Sequence, residues 1–160
     1  MNRGFKVCKG FENNGINIPR RKTKNSAGYD FEAAEDTIIP VGYDKPTLVK
    51  TGIKAYMKED EVLYIYNRSS NPKKKKIILA NSVGVIDSDY YENEDNDGHI
   101  MFAFYNVSTE DVVIKKGEAI GQGVFQKFLT IDNEELITEE RKGGFGSTNN
   151  KSGKIKCQYR

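Results

Sequence analysis

A carboxylate and an aromatic ring follow a short apolar segment in the middle of the chain. Val83, Val85 and Ile86 have the composition of a β-strand, and Asp87 and Tyr90 come directly after them. A strand fixes the backbone under the carboxylate and partly shields it from water, and under these conditions an aspartate can act as a general base. Tyr90 supplies a flat ring of the kind that packs against a sugar. The same residues would also suit a strand that ends in an Asx-type turn.

Hydrogen-bond donors follow a second predicted strand, residues 61–66. They are Arg68, Ser69 and Ser70. A guanidinium and two hydroxyls can donate to phosphate oxygens from several directions. A simpler interpretation is that either serine caps the element that comes next.

A glycine-rich segment near the end of the chain surrounds one aromatic ring. Phe145 lies between glycines, with Arg141, Lys142, Ser147 and Thr148 close by in sequence. This composition is typical of a disordered tail. It also suits a lid that closes over a nucleoside triphosphate.

The composition excludes several classes of function. His99 is the only histidine, so Ser-His-Asp, Cys-His and HExxH chemistries lack their parts. Cys8 and Cys157 stand near opposite ends without a metal-ligand spacing, which predicts no zinc site and fits a reducing cytoplasm. A net charge of +2 gives no reason to expect nucleic-acid binding. No apolar segment approaches the ~18 residues of a membrane span, and we expect no signal peptide, no membrane association and a cytoplasmic protein.

The pattern of turns predicts one all-β domain. Turn residues recur about every 8 to 12 positions without helical periodicity, as in a sandwich or barrel of antiparallel strands. The strand predicted from His99 to Asn106 would pair with the strand that ends at Asp87, in a hairpin whose backbone reads the edge of a base. Residues 87–97 hold six acidic residues and no basic one, and we interpret this stretch as a solvated insertion.

Five segments resemble, in order, the five motifs of the trimeric dUTPase family, in a variant of the phage or Gram-positive kind. They are Ala-Gly-Tyr-Asp-Phe at 27–31, Arg-Ser-Ser at 68–70, Asn-x-x-Gly-Val-Ile-Asp-Ser-Asp-Tyr at 81–90, Gly-Glu-Ala-Ile-Gly-Gln at 117–122 and Gly-Gly-Phe-Gly-Ser-Thr at 143–148. Any one motif is weak evidence, but five in the right order are strong evidence.

The resemblance implies a fold and an activity. The fold would be a jelly-roll-like β domain over residues 1–140, followed by a flexible tail at 141–160 that closes the active site. Three chains would form a homotrimer with composite sites. The reaction would be Mg²⁺-dependent hydrolysis of dUTP to dUMP and pyrophosphate, which removes dUTP from the nucleotide pool and supplies dUMP for dTMP synthesis.

The resemblance also implies roles for individual residues. Asp87 would be the general base, and Asp30 would hold Mg²⁺ through water. Asn81 and the main chain near Val85 and Met101 would bind uracil, while Tyr90 would exclude a 2′-hydroxyl. The implied substrate contacts are Arg68, Ser69, Ser70, Asn81, Val85, Ile86, Tyr90, Met101, Gln122, Arg141, Lys142, Phe145, Gly146, Ser147 and Thr148.

The sequence departs from the family pattern at several positions. Ala119 stands where the fourth motif usually has arginine, and Gly121 where it usually has alanine. The fifth motif is shortened, and Gly98 follows Tyr90 only after the acidic insertion. The related dCTP deaminases, some of them bifunctional, carry a glutamate near the position of Phe104, where this chain has no acid. A dUTPase fold that binds a regulatory protein partner through the acidic insertion is a further alternative.

Overall fold

Strands are the main regular structure of the described part of the chain. In the computed structural model, which describes residues 2–135 and 144, ten strands are joined by turns, with a π-helical turn at Asn71–Lys75 and a 3₁₀ turn at Ser88–Tyr90. The strands are β1 (Gly4–Val7), β2 (Tyr29–Glu32), β3 (Thr37–Ile39), β4 (Gly42–Tyr56), β5 (Glu61–Asn67), β6 (Ile77–Leu79), β7 (Val83–Asp87), β8 (Ile100–Asn106), β9 (Val112–Ile114) and β10 (Ala119–Lys127).

Two four-stranded sheets make up the body of the domain. One has the order β1-β4-β8-β6 and the other the order β2-β10-β5-β7, while β3 and β9 form a separate pair. The registered strand pairs are all antiparallel. The prediction of an all-β, antiparallel fold is therefore confirmed.

The two sheets bury a common apolar core. Strand β8 alternates strictly, with Ile100, Phe102 and Phe104 buried and the residues between them partly exposed. This alternation gives one face of the strand to the core, as a period of two requires. The ring of Phe102 packs across to Phe31 of the other sheet, with centroids 5.6 Å apart. Burial of one such ring contributes about 1.5–3 kcal/mol.

The predicted hairpin between the strands around Asp87 and Met101 is wrong. Strand β7 pairs with β5, whereas β8 pairs with β4 and β6 in the other sheet. The connection between them, residues 88–99, is longer than the 2–5 residues of common hairpin loops. It carries the chain from one sheet to the other, and β7 remains the edge strand of its own sheet.

The acidic insertion is folded, and its interpretation as a solvated segment holds only for its exposed side chains, among them Glu92 and Asp95. The ammonium group of Lys54, a residue that is 4% exposed, donates to Glu92 Oε1 at 2.8 Å and to the two Asp97 oxygens at 3.0 and 2.9 Å. Asn93 is buried, and its Oδ1 accepts the backbone N–H groups of Asp95 and Asn96. A buried lysine needs anionic partners, and this loop supplies them.

The predicted boundary between a domain at 1–140 and a tail at 141–160 lies outside the described residues. The last described strand ends at Lys127. Cys8 is a buried thiol, and burial raises its pKa to about 12. Within residues 2–135 we find no helix with the length and apolar character that crossing a membrane requires.

Candidate active site

A cavity of about 190 Å³ lies between the edge strand β7 and the start of β8. Sites for drug-sized ligands usually measure about 300–1,000 Å³, so this cavity suits a base and part of a sugar. Its lining comes from both sheets and from the connection between them. The lining residues are Ile65, Asn81, Gly84, Val85, Ile86, Asp87, Tyr90, His99, Ile100, Met101 and Gly144.

Strand β7 presents backbone to this cavity. Because it is the outermost strand of β2-β10-β5-β7, one row of its N–H and C=O groups points away from the ladder with β5. Such groups can pair with the edge of a base. A hairpin between β7 and β8 would have consumed them. Gly84 is required here, because a Cβ at this position would lie 2.3 Å from Ile65 Cγ1.

Asp87 is the last residue of β7 and is half-buried at the cavity wall. It lies opposite Val62 of β5 and directly precedes the 3₁₀ turn Ser88–Tyr90. Its side chain makes no capping hydrogen bond to that turn. The turn-forming interpretation of this aspartate is therefore not supported, and its carboxylate lies in the cavity wall beside the backbone edge.

Tyr90 is 6% exposed and forms another wall of the cavity. Its hydroxyl donates to the carbonyl oxygen of His99 at 3.0 Å and accepts the side-chain amide of Asn96 at 2.7 Å. Gly144 lies against the ring, because a Cβ there would be 2.7 Å from Tyr90 Cε2. The ring is therefore held at its hydroxyl end and covered by backbone.

His99 also lines the cavity, a role that the sequence did not suggest. Its Nε2 accepts the backbone N–H of Gly52 at 2.9 Å, and its ring packs on Phe11 with centroids 4.9 Å apart. Burial, followed by the nearby charge of Lys50, lowers the pKa of His99 to about 4. The imidazole is therefore neutral at physiological pH. One feature of the sequence could have indicated this role: His99 lies two residues before Met101, a predicted contact.

A second group of predicted residues lies elsewhere in the sheet β2-β10-β5-β7. Gln122 of β10 is opposite Asp30 of β2 on one side and Tyr66 of β5 on the other. Paired residues in neighbouring strands share a face of the sheet. Arg68 follows β5, and its NH1 donates to the carbonyl oxygen of Ala119 at 3.2 Å.

Local packing orients the members of this group. Gly28 lies against the Gln122 side chain, because a Cβ at residue 28 would be 2.2 Å from Gln122 Oε1. Ser70 directly precedes the π-helical turn but makes no side-chain capping bond to it. Ser69 lies between Ser70 and Arg68 in the same bend of the chain. The first, second and fourth motifs therefore meet at this end of the sheet.

The two groups do not meet within one chain. Asp87 is opposite Val62, near the start of β5, whereas Arg68 follows the end of the same strand. Six residues at about 3.4 Å each separate Val62 from Arg68 by about 20 Å along the strand. A single chain therefore holds Asp87 and the predicted phosphate contacts at distant places.

The family model for dUTPase matches residues 14–149. This chain belongs to the dUTPase family. The deoxyuridine 5′-triphosphate nucleotidohydrolase of Lactococcus lactis subsp. lactis is 56% identical over 147 residues, which cover 91% of this chain and 97% of the relative. The enzyme of the same name from Rickettsia akari is 36% identical over 144 residues, which cover 88% and 93%.

Solved structures of dUTPases share this fold. The crystal structure of the Streptococcus mutans dUTPase matches with a TM-score of 0.77 and 48% identity, covering 81% of this chain and 99% of that one. The dUTPase of Staphylococcus bacteriophage 80alpha matches with a TM-score of 0.67 and 18% identity, covering 88% and 99%, and this likeness concerns the fold alone. The expected resemblance to Gram-positive and phage dUTPases is confirmed.

Packing accounts for the glycine of the fourth dUTPase motif. Gly121 lies under the ring of Phe102, and a Cβ at residue 121 would be 1.9 Å from Phe102 Cε1. Even alanine would displace this core ring, so only glycine fits. At Ala119, the backbone carbonyl accepts Arg68. The fourth motif therefore orients the guanidinium of the second motif through a backbone group, which any residue at position 119 would provide.

The predicted contacts from the fifth dUTPase motif lie outside the described residues. They are Arg141, Lys142, Phe145, Gly146, Ser147 and Thr148. Gly144 belongs to the same motif and is described, and it borders the cavity of its own chain.

Proposed function

We propose that this chain hydrolyses dUTP to dUMP and pyrophosphate, with Asp87 as the general base and uracil in the cavity beside β7. One observation carries this proposal: Asp87, Tyr90 and the open backbone edge of β7 line the same cavity in a member of the dUTPase family. The cavity supplies a carboxylate, an aromatic wall and backbone hydrogen-bond groups. These are the three parts that base recognition and water activation need.

Uracil recognition rests on the edge of β7. The N–H and C=O groups on its outer side, with the Asn81 carboxamide, offer donors and acceptors to O2, N3 and O4 of the base. Backbone groups have fixed directions, so the cytosine amine in place of O4 would meet a donor instead of an acceptor. The wall formed by Val85 and Met101 leaves little room for the methyl group of thymine.

The chemical step is an attack of water on the α-phosphorus. Asp87 accepts a proton from the water as its oxygen bonds to phosphorus, and the bond from the α-phosphorus to the bridging oxygen breaks to release pyrophosphate. Arg68, Ser69 and Gln122 donate to the phosphate oxygens on which charge develops. Such donors act only within about 3 Å of those oxygens.

This geometry requires more than one chain. The base that activates the water and the donors to the same phosphate must lie within a few ångströms of each other. Along β5, however, about 20 Å separates Asp87 from Arg68 and about 14 Å separates it from Gln122. A neighbouring subunit therefore supplies the phosphate contacts to the Asp87 cavity. A ring of three subunits in head-to-tail contact provides three such sites, and we propose a homotrimer.

The residues around Asp30 fit a role near Mg²⁺. Asp30 is half-buried beside Gln122, and Mg²⁺ prefers hard oxygen ligands while keeping several of its waters. Asp30 would orient these waters from the outer shell. When bound to the triphosphate, the ion would neutralise charge on the phosphate oxygens.

We propose that residues 141–160 form a tail that closes the site after the β domain of residues 1–140. Phe145 would stack on the base, and the cations Arg141 and Lys142 with Ser147 and Thr148 would contact the phosphates. The position of Gly144 beside Tyr90 supports closure over the cavity. The resemblance implies closure on a neighbouring subunit, whereas Gly144 borders the cavity of its own chain.

A mixing experiment distinguishes these two arrangements. A chain ended after residue 140 keeps Asp87 but has no tail, and full-length Asp87→Asn keeps the tail but has no base. If the tail closes on a neighbouring subunit, mixed trimers regain turnover because one chain supplies the base and the other the tail. Confirmed mixed trimers without turnover would show closure on the same subunit.

The proposed reaction is tested by pyrophosphate release from dUTP, dCTP, dTTP and UTP, with ammonia release measured alongside. We expect selective hydrolysis of dUTP. Asp87→Asn should lower turnover by about 10²- to 10⁴-fold, as loss of a general base does, while dUTP binding persists. Asp89→Asn is the matched control, because Asp89 is exposed and outside the cavity lining. Turnover of Asp87→Asn equal to that of the control would refute the role.

Ammonia release from dCTP would instead indicate a deaminase. The structure gives no support for this activity. Phe104, near the position where that family carries its glutamate, is fully buried, with its ring stacked on Phe102 at 6.2 Å between centroids.

A further inference from the structure

The acidic loop, residues 91–98, returns to the active site after leaving it. Gly98 has φ +76°, and a Cβ there would lie 2.7 Å from the Tyr90 carbonyl oxygen and 2.9 Å from Glu92 N. Only glycine permits this close return. The turn brings Asn96 to the Tyr90 hydroxyl, with the donor and acceptor 2.7 Å apart.

The hydrogen bonds of Asn96 fix the direction of its side chain. Its Oδ1 accepts the backbone N–H of Gly98 at 3.1 Å and the side-chain amide of Asn93 at 2.9 Å. A backbone N–H can only donate, so the atom facing Gly98 must be the carbonyl oxygen and the amide nitrogen must face Tyr90. Asn93 in turn donates to the Tyr90 carbonyl oxygen at 2.8 Å. The loop therefore holds Tyr90 at its backbone and at its hydroxyl.

A buried cation anchors the outer side of the same loop. Lys54 bonds to Glu92 and Asp97, and Asp97 also accepts the backbone N–H of Lys9 at 2.8 Å. Lys54 and Lys9 lie in separate segments before β7, so the loop is fastened to the domain at both ends of its acidic stretch. A loop fixed in this way can determine the position of a side chain that it contacts.

We propose that Asn96 is a positioning residue that sets sugar specificity through Tyr90. This inference rests on the proposed function, in which the Tyr90 ring excludes a 2′-hydroxyl. The amide of Asn96 keeps the ring against the cavity. Without that donor the Tyr90 hydroxyl loses one of two described hydrogen bonds, and the ring can tilt to admit ribose.

The decisive variant is Asn96→Asp. A carboxylate at this position still accepts from Gly98 and Asn93, so the loop keeps its internal bonds, but it has no donor for the Tyr90 hydroxyl. The single proton of that hydroxyl can go to the His99 carbonyl or to the carboxylate but not to both, so one of the two bonds is lost. We expect the ratio of kcat/KM for dUTP to that for UTP to fall about 5- to 10-fold, as expected for loss of one hydrogen bond, while kcat for dUTP changes little. Asn96→Ala should lower the ratio similarly. Glu94→Gln, an exposed position in the same loop, is the matched control.

A double-mutant cycle separates positioning from general destabilisation. In a Tyr90→Phe background the hydroxyl is gone, so Asn96→Asp should not lower the ratio further. An unchanged ratio in the single variant, or an equal fall in both backgrounds, would overturn the proposal. The ratio of the calorimetric affinities for dUMP and UMP measures the same sugar discrimination without turnover. If the wild-type chain fails to hydrolyse dUTP, the proposed function is refuted. If Asn96→Asp and the control Glu94→Gln lose selectivity for dUMP equally, only the role of Asn96 is refuted.

Discussion

Protonation of His99 should couple the stability of the protein to pH below neutrality. The imidazole is 8% exposed, and its Nε2 accepts the backbone N–H of Gly52. Burial and the charge of Lys50 lower its pKa to about 4, against the opposing influence of Glu35 and Asp97. In the unfolded chain the same group titrates near 6.5.

The sign and size of the effect follow from these values. Between pH 6.5 and about 4 the unfolded chain binds a proton that the folded chain does not, so the free energy of unfolding decreases as the pH falls. Each pH unit corresponds to about 1.4 kcal/mol. The full effect is therefore about 3 kcal/mol, a substantial part of the 5–15 kcal/mol typical of a folded domain. Above pH 6.5 this group contributes no pH dependence.

Urea unfolding of the wild type and His99→Gln at pH 7.5, 6.5, 5.5 and 4.5 measures this difference. The glutamine carbonyl can still accept the N–H of Gly52 but does not titrate. Because His99 is the only histidine in the chain, we expect the curves to run in parallel above pH 6.5 and to diverge below it. Protein concentration is held constant, since assembly also affects apparent stability.

A proton NMR titration of the single imidazole provides an independent check. In the folded protein its resonance should stay at the neutral position down to about pH 5. A midpoint near 6.5 in the folded state would show that burial does not disfavour the charged ring, and the reasoning would be refuted. Parallel stability curves across the whole range would have the same consequence.

Three further predictions concern other close contacts. Gly28→Ala should displace the Gln122 carboxamide and lower kcat/KM for dUTP about 10- to 100-fold, the size of a hydrogen bond to a charged group, with little change in Tm. Lys54→Met leaves two carboxylates of the acidic loop without their cation and should cost about 3 kcal/mol in urea unfolding. Arg3 lowers the pKa of the buried Glu61 to about 2, so stability should be lost as the pH falls from about 4.5 towards 2, and acid titration of Glu61→Gln should show a smaller loss.

The sequence predicted the strands better than their partners. The strand predicted from His99 to Asn106 is present as β8, but its residues 100–105 are all apolar or aromatic, so only the structure shows which of them face the core. Pairing depends instead on contacts far apart in the chain. The prediction that β7 and β8 form a hairpin assumed that successive strands are neighbours, a tendency that the long connection between them overrides.

The lining of the candidate cavity was predictable where a single segment of the sequence contributes its residues. Asn81, Val85, Asp87 and Tyr90 lie within a single motif, and the structure places all four in the lining of one cavity. The position of His99 in that wall was missed because a lone histidine was used only to exclude mechanisms.

The acidic loop was misinterpreted because its neutralising charge is distant in sequence. Composition alone predicts that six carboxylates without a cation stay in water. The cation is Lys54, near the end of β4, and the asparagines of the loop form the hydrogen bonds that fold it. The charges in the local sequence therefore did not predict the environment of Asp97, because the cation that neutralises it comes from a distant strand.

The open edge of β7 is unusual enough to need an explanation. Val83 and Val85 are 38% and 57% exposed on this strand, and an apolar edge strand invites pairing with other chains. A protein that only needed stability would cover it. In the proposed function, base recognition requires the edge to stay open, because the N–H and C=O groups that would bind another strand are those proposed to read uracil. Asp87 is the last residue of this strand, and Asp89 and Glu92 follow within five residues. Charges at the end of an edge strand oppose the addition of a further strand. We infer that the acidic residues beside the site keep this edge available to the substrate.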